Sequence, residues 1–237
     1  MSPAAGRRVA GLAAGVALAA AVLAVCRSGE AGPAAQAEAA VARVPTDSLA
    51  AALLATVRGA DPVVCELAVR AVDGRHGWSS TADELAGVGA TLTPLQRATI
   101  QWAVDDDDEE GAVPAAVEPL TAALRDRDAC VRRMAALKLG RTGHPRAVAA
   151  LTAALAGGEP EIRAVGALGL GYAEDPAAID ALGRALADGS AEVRAASAWA
   201  LGEIEDARAI PLLIPILRDD ADPAVRRVAA WALGAIE

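Results

Sequence analysis

Four arginines recur along the C-terminal half of this sequence at nearly constant spacing: Arg132, Arg163, Arg194 and Arg226. Asp126, Asp188 and Asp220 stand six residues before three of them, and Gly157 interrupts the acidic series. A charged series at such spacing reads as structural before it reads as a binding site. The arginines alone would suit an anion. A second set is apolar and aromatic. Trp199 and Trp231 occupy one repeated position, held by Leu137 and Leu168 further upstream, with Arg133 and Arg227 as the nearest charged companions. Tryptophan and arginine are among the side chains that most often anchor a protein interface, and large groups at such spacing also wedge against the next repeat.

Other chemistry has less to work with. Only two histidines are present, His76 in "GRHGW" and His144 ahead of Pro145, which restricts acid–base and metal chemistry. No Ser/His/Asp order or phosphate-binding glycine loop occurs. The acidic run Asp105–Glu110 has the oxygen ligands calcium needs but neither the alternating spacing nor the turn glycine of a calcium loop; it reads as a solvated loop. Three cysteines (Cys26, Cys65 and Cys130) are too few for a disulfide framework. Cys65 and Cys130 are expected as separate buried thiols, with a disulfide the alternative.

The elements that must carry these residues follow from an internal period. From Val113 the chain returns on itself every 31 residues, beginning at Val113, His144 and Asp175, and a fourth copy from Asp206 has one extra residue in its middle turn. Leu120, Leu151, Leu182 and Leu213 are equivalent, as are Val131, Ile162, Val193 and Val225, and Leu139, Leu170, Leu201 and Leu233. Each copy reads as two helices. In the third, Asp175 caps and Pro176 enters the first helix, "ADGS" turns the chain, and Ser190 is placed to cap a second helix with Val193, Ser197, Ala200, Leu201 and Ile204 on its buried face. The other positions of the second helices are small: Ala164, Ala167 and Gly171, then Ala195, Ala198 and Gly202. Such a surface suits a docked helix or peptide, or tight packing between helices.

This pattern resembles the HEAT-like repeats of bacteria, including the short form shared with phycobilisome lyase subunits. The resemblance implies stacked helix pairs with a concave binding face, and an Asp–Arg ladder crossing between neighbours, onto which Asp126, Arg132, Arg163, Asp188, Arg194, Asp220 and Arg226 map. The partner-binding residues it implies are Arg133, Leu137, Leu168, Trp199, Arg227 and Trp231. Deoxyhypusine hydroxylase, a HEAT-repeat enzyme, holds iron through His-Glu pairs; none occurs here, so that activity does not carry over. Bilin attachment by the lyase relatives rests on fold analogy alone.

The remaining segments complete the division of the chain. Arg7-Arg8, an uncharged run from Val9 to Cys26 and Ala35-Gln36-Ala37 read as a secretory signal, with an uncleaved anchor or lipidation at Cys26 as variants. Residues 1–37 are thus a signal peptide or membrane anchor, 38–45 a linker, 46–75 a divergent repeat, and 76–112 a divergent helical insertion with the acidic loop. Residues 113–143, 144–174, 175–205 and 206–237 are the four regular repeats. A composition 54% hydrophobic but 2% aromatic favours helices packed through small side chains. A net charge of −9 disfavours nucleic acid.

The expectation is an all-α, right-handed α-solenoid behind an export signal. It would serve as a non-enzymatic scaffold or adaptor binding another envelope protein in the periplasm, without cofactor or metal, and meeting the membrane only through its N-terminal segment if that stays uncleaved. The last repeat, without a polar capping helix, is a candidate surface for self-association. Two other readings stay open: a lyase-like or ligand-binding subunit acting on a tetrapyrrole or other small ligand, and a self-assembling structural module.

Overall fold

In a computed structural model, residues 46–60, 62–73 and 114–236 are described. The export signal, Cys26, the linker, His76, Trp78, the acidic run and the rest of the 76–112 insertion lie outside them. Every regular element among the described residues is helical. The chain divides into two compact units, Met1–Pro119 and Leu120–Glu237.

The first unit contains α1 (Thr46–Val57) and α2 (Pro62–Asp73). Between them the chain turns through Gly59, whose φ of 68° is cheap only for glycine. Leu53, Leu54 and Val57 of α1 are buried, as are Ala68, Val69 and Val72 of α2, so this divergent copy keeps an apolar stripe on each helix. Helix α3 (Pro114–Ala123) leads into the second unit.

There the period becomes a stack: α4 (Ala129–Arg141), α5 (Pro145–Leu155), α6 (Pro160–Ala173), α7 (Ile179–Ala185), α8 (Ala191–Glu203), α9 (Ile210–Asp219) and α10 (Pro223–Ala235). The second helices α4, α6, α8 and α10 pack each on the next, and α5, α7 and α9 pack against the second helix of their own repeat. The all-α fold of stacked helix pairs expected from the repeat is the one found. The entrances use local chemistry. Asp128 accepts from the Cys130 and Val131 N–H groups at the start of α4, and Asp222 from Ala224 N–H at the start of α10. Asp175 and Asp206 accept from Ala177 and Arg208 N–H, but each opens a short 3-10 turn (176–178 and 207–209) ahead of its α-helix. Ser190 sits at the N-cap of α8 with no side-chain bond to the helix. Its own N–H donates instead to Asp188 Oδ1 at 2.8 Å.

The core is the set of periodic leucines. Leu120, Leu151, Leu182 and Leu213 are almost fully buried, as are Leu139, Leu170 and Leu201. Fully burying a leucine stabilises by about 1.5–3 kcal/mol, so these positions dominate the stack. The last repeat is more open: Leu217 and Leu233 are only half-buried where Leu186 and Leu201 are enclosed.

Candidate functional site

Two seams between repeats are closed by arginine–aspartate forks. Arg163 on α6 reaches Asp188 in the following repeat, Nε to Oδ2 at 2.7 Å and Nη2 to Oδ1 at 2.9 Å. Arg194 on α8 does the same to Asp220, at 2.7 and 2.9 Å. Each arginine also turns Nη1 back onto its own repeat, Arg163 to Gly158 O at 2.7 Å and Arg194 to Asp188 O at 2.9 Å. The aspartates are equally engaged, since Oδ1 of each accepts the N–H two residues on, from Ser190 and Asp222. One residue pair therefore stiffens two turns and bridges two repeats. The Arg163 fork holds the Asp188 carboxyl below its usual range, outweighing the opposing effect of burial. Asp220, whose side chain is 3% exposed, is lowered chiefly by Arg194.

The two outer positions differ. Arg132 bonds Asp126 O at 2.8 Å and Arg127 O at 3.0 Å through Nη1, but its Nε is buried without a partner where Gly157 replaces the acid. Arg226 bonds Asp220 O at 2.7 Å and Ala221 O at 3.3 Å in the same manner. Asp126 accepts from Asp128 N–H at 2.9 Å. The structure thus joins Arg163 with Asp188 and Arg194 with Asp220, and gives Arg132 and Arg226 a backbone role within their own turns.

The small residues of the second helices form seams and not a free face. Ala164, Ala167, Gly171, Ala198 and Gly202 are all buried, because each second helix is packed between its neighbours. A Cβ on Gly171 would stand 2.7 Å from Trp199 Cζ3 and 2.9 Å from Ala200 Cα; on Gly202 it would stand 2.8 Å from Ala232 Cα and 2.9 Å from Trp231 Cζ3. The recurring Leu-Gly is therefore a socket for the next repeat, a role its period in the sequence could have suggested. The tryptophans wedge into the repeat before their own, which corrects the expectation that they press on the next one. Trp199 also meets the edge of Tyr172, ring centroids 5.0 Å apart.

Exposure of the wedge positions rises along the stack. Leu137 is wholly buried, since α4 is enclosed on nearly all sides from Met134 to Gly140, so it offers no contact to a partner. Leu168 and Trp199 are half-buried, and Trp231 is 45% exposed. Arg133 is half-buried and Arg227 exposed, one turn before Trp231 on α10. The surface left by this packing is a row across the second helices with its aromatic end on α10.

Both Cys65 and Cys130 are disulfide-bonded, which corrects the expectation of separate thiols. Spacing in the sequence carries no record of which buried thiols a fold brings within the few ångströms a disulfide requires. His144 is the N-cap of α5, its Nδ1 accepting from Arg146 N–H at 3.1 Å. Among the described residues no group of three or more His, Cys, Asp or Glu could hold a metal ion. No described helix is long and apolar enough to cross a membrane.

With helix pairs, apolar stripes and inter-repeat forks in view, comparison with known families is decisive. The family model for HEAT repeats matches residues 93–165 and 153–234. The chain is a HEAT-repeat protein. No curated protein matches the sequence. Among solved structures, this HEAT-repeat chain is similar to human deoxyhypusine hydroxylase in complex with glycerol, at 20% identity over 98% of both chains and a TM-score of 0.45. It is also similar to the complex of CpcE and CpcF of phycocyanin lyase from Nostoc sp. PCC7120, at 28% identity over 64% of this chain and 63% of that one, with a TM-score of 0.44. An engineered protein aligns at 21% identity over 81% of this chain and 97% of its own, with a TM-score of 0.37.

Proposed function

We propose that this HEAT-repeat protein is an exported, non-enzymatic scaffold that binds another envelope protein through the row formed by Arg133, Leu168, Trp199, Arg227 and Trp231. The observation that carries the reading is Trp231, which stays 45% exposed with the exposed Arg227 one turn away. Tryptophan and arginine are among the side chains most enriched at the energetic centres of protein interfaces. Being held against Gly202, the Trp231 ring loses little further freedom when a partner covers it. The disulfide state of Cys65 and Cys130 supports an oxidising compartment beyond the cytoplasm.

The test is crosslinked co-purification of full-length protein beside the variant Arg133→Glu/Trp199→Ala/Arg227→Glu, after both are shown to share helicity and melting temperature. A partner retained by the wild type and lost by the folded variant supports the adaptor. Identical partners in both would remove the second-helix row from the interface. Export is tested separately by fractionating cells and counting free thiols without reductant; reduced cysteines in a cytoplasmic fraction would overturn it.

A further inference from the structure

The seam between the first two regular repeats has the donors for a carboxylate but not the carboxylate. At the next two seams one aspartate meets three donors. Asp188 accepts from Arg163 Nε, Arg163 Nη2 and the Ser190 N–H; Asp220 accepts from Arg194 Nε, Arg194 Nη2 and the Asp222 N–H. The first seam is stacked in the same register. A Cβ on Gly140 would meet Gly169 O on α6, just as one on Gly171 would meet Ala200, the counterpart of Gly169, on α8. The turn is also the same, with Gly157 N–H on Ala154 O at 2.9 Å where Asp188 N–H meets Ala185 O at 3.0 Å. Glu159 stands in the place of Ser190 as an extended N-cap, and among the described residues nothing accepts from its N–H. Arg132 is fixed through Nη1 on Asp126 O and Arg127 O, and its Nε is buried with no partner. A buried charged donor is costly to leave without an acceptor.

We infer that this seam binds a small monocarboxylate of formate or acetate size in the place of the aspartate side chain. One oxygen accepts from Arg132 Nε, and the other from Arg132 Nη2 and the Glu159 N–H. The planar fork selects a carboxylate, whose two oxygens match its two parallel donors. The exposed Glu159 and Glu161 beside the turn repel a second negative charge, so sulfate and phosphate are disfavoured. Size is set by the turn itself. A Cβ on Gly157 would lie 2.9 Å from Ala154 O; formate carries only a hydrogen toward that point, and acetate a methyl group. Once bound, the anion bridges α4 to the turn before α6 as Asp188 and Asp220 bridge the later seams. The stiffness of this one seam then depends on a solute. The site is separate from the tryptophan row, and each can fail alone.

The experiment titrates sodium formate into isotope-labelled full-length protein, at an ionic strength held constant with sodium chloride. The Arg132 Nε–H and Glu159 amide signals are followed by NMR. Both should move saturably with one dissociation constant, while Arg163 and Arg194 Nε–H, already on aspartate, stay in place. Acetate should bind more weakly than formate, and sulfate weaker by about tenfold or more. Gly157→Asp supplies the carboxylate from within the chain and should abolish the response to formate. Arg132→Lys keeps the charge without the fork and should lower the affinity read at Glu159 by about tenfold or more. The inference is overturned by signals that move no further in formate than in chloride, by sulfate matching formate, or by a formate response that survives Gly157→Asp.

Discussion

Arg163 and Arg194 hold a carboxylate from the repeat that follows, whereas Arg132 and Arg226, at the same place in their own repeats, do not. All four nevertheless keep Nη1 on two carbonyls of the preceding turn. The comparison separates two jobs that the sequence pattern merges. The local one ties the turn to the start of the second helix and needs nothing beyond the repeat itself. The bridging one needs an aspartate in the next unit. Arginine can therefore remain where the acid is missing, and an uninterrupted column of arginines does not certify an uninterrupted ladder.

The sharpest way to break the contrast between inner and outer seams is through their glycines. Gly202→Leu must displace the backbone of Ala232 as well as the Trp231 ring, and overpacking against backbone should cost about 3 kcal/mol. Gly234→Leu enters open space and exchanges the poorest non-proline helix former for a good one, a gain of up to about 1 kcal/mol. Urea denaturation of the two variants should move the midpoint in opposite directions. Equal losses would mean that the last glycine is also a packed socket.

A smaller effect divides the arginines. Arg194→Ala removes the turn bonds and the fork with a nearly buried Asp220, and should cost about 2 kcal/mol. Arg226→Ala removes the turn bonds alone and should cost less than about 1 kcal/mol. The difference between the two midpoints isolates the bridge. If both variants lose the same amount, the fork contributes nothing net and the carbonyl bonds carry all of the arginine's value.

Acid titration reads the same bridges from the carboxylate side. Asp188 and Asp220 have folded pKa values below their ordinary ones, chiefly through Arg163 and Arg194. The unfolded chain therefore binds more protons, and the stabilisation is present above the ordinary carboxylate value, near pH 4, and disappears as pH falls through the folded values. Asp206, lowered by Arg208, contributes with the same sign. The double variant Asp188→Asn/Asp220→Asn should flatten the stability profile below about pH 4 while leaving the Asp206 share. An unchanged slope would detach the forks from acid stability.

Much of this was legible before any coordinates. Leucines recurring at helical spacing must be buried together, and a 31-residue period forces equivalent residues into equivalent places, which is why Leu151, Leu182 and Leu201 could be assigned to the core by type and register alone. What stayed hidden depends on proximity across the stack. The small residues Ala167, Gly171 and Ala198 are compatible with a free groove or a close seam, and only the spacing of neighbouring helices decides. That Cys65 and Cys130 are disulfide-bonded is likewise not written in their spacing. Lys138 is buried at a position that Gly169, Ala200 and Ala232 fill elsewhere, and nothing in the repeat marks it out. Even the direction of the tryptophan wedge, backward onto Gly171 and Gly202, follows from helix rotation about the stack and not from the wheel of one helix.

The finest test is to repair the seam that lacks its acid. Gly157 occupies the place of Asp188 and Asp220, and its N–H bonds Ala154 O at 2.9 Å as Asp188 N–H bonds Ala185 O at 3.0 Å. The turn is therefore one an aspartate already adopts in the neighbouring repeat. A Cβ here would lie 2.9 Å from Ala154 O, a crowding the turn must relieve by a small shift. Against that stand a carboxylate for the buried, unpartnered Arg132 Nε and the lower unfolded-state entropy of a residue other than glycine. Gly157→Asp should stabilise by about 0.5–1 kcal/mol, and Gly157→Ala, with the entropy term and the crowding but no carboxylate, should fall short of it. Adding Arg132→Ala should erase the difference between Asp and Ala at 157. If the difference survives that change, the new carboxylate is acting on its own turn, and the missing fork is not what sets this seam apart.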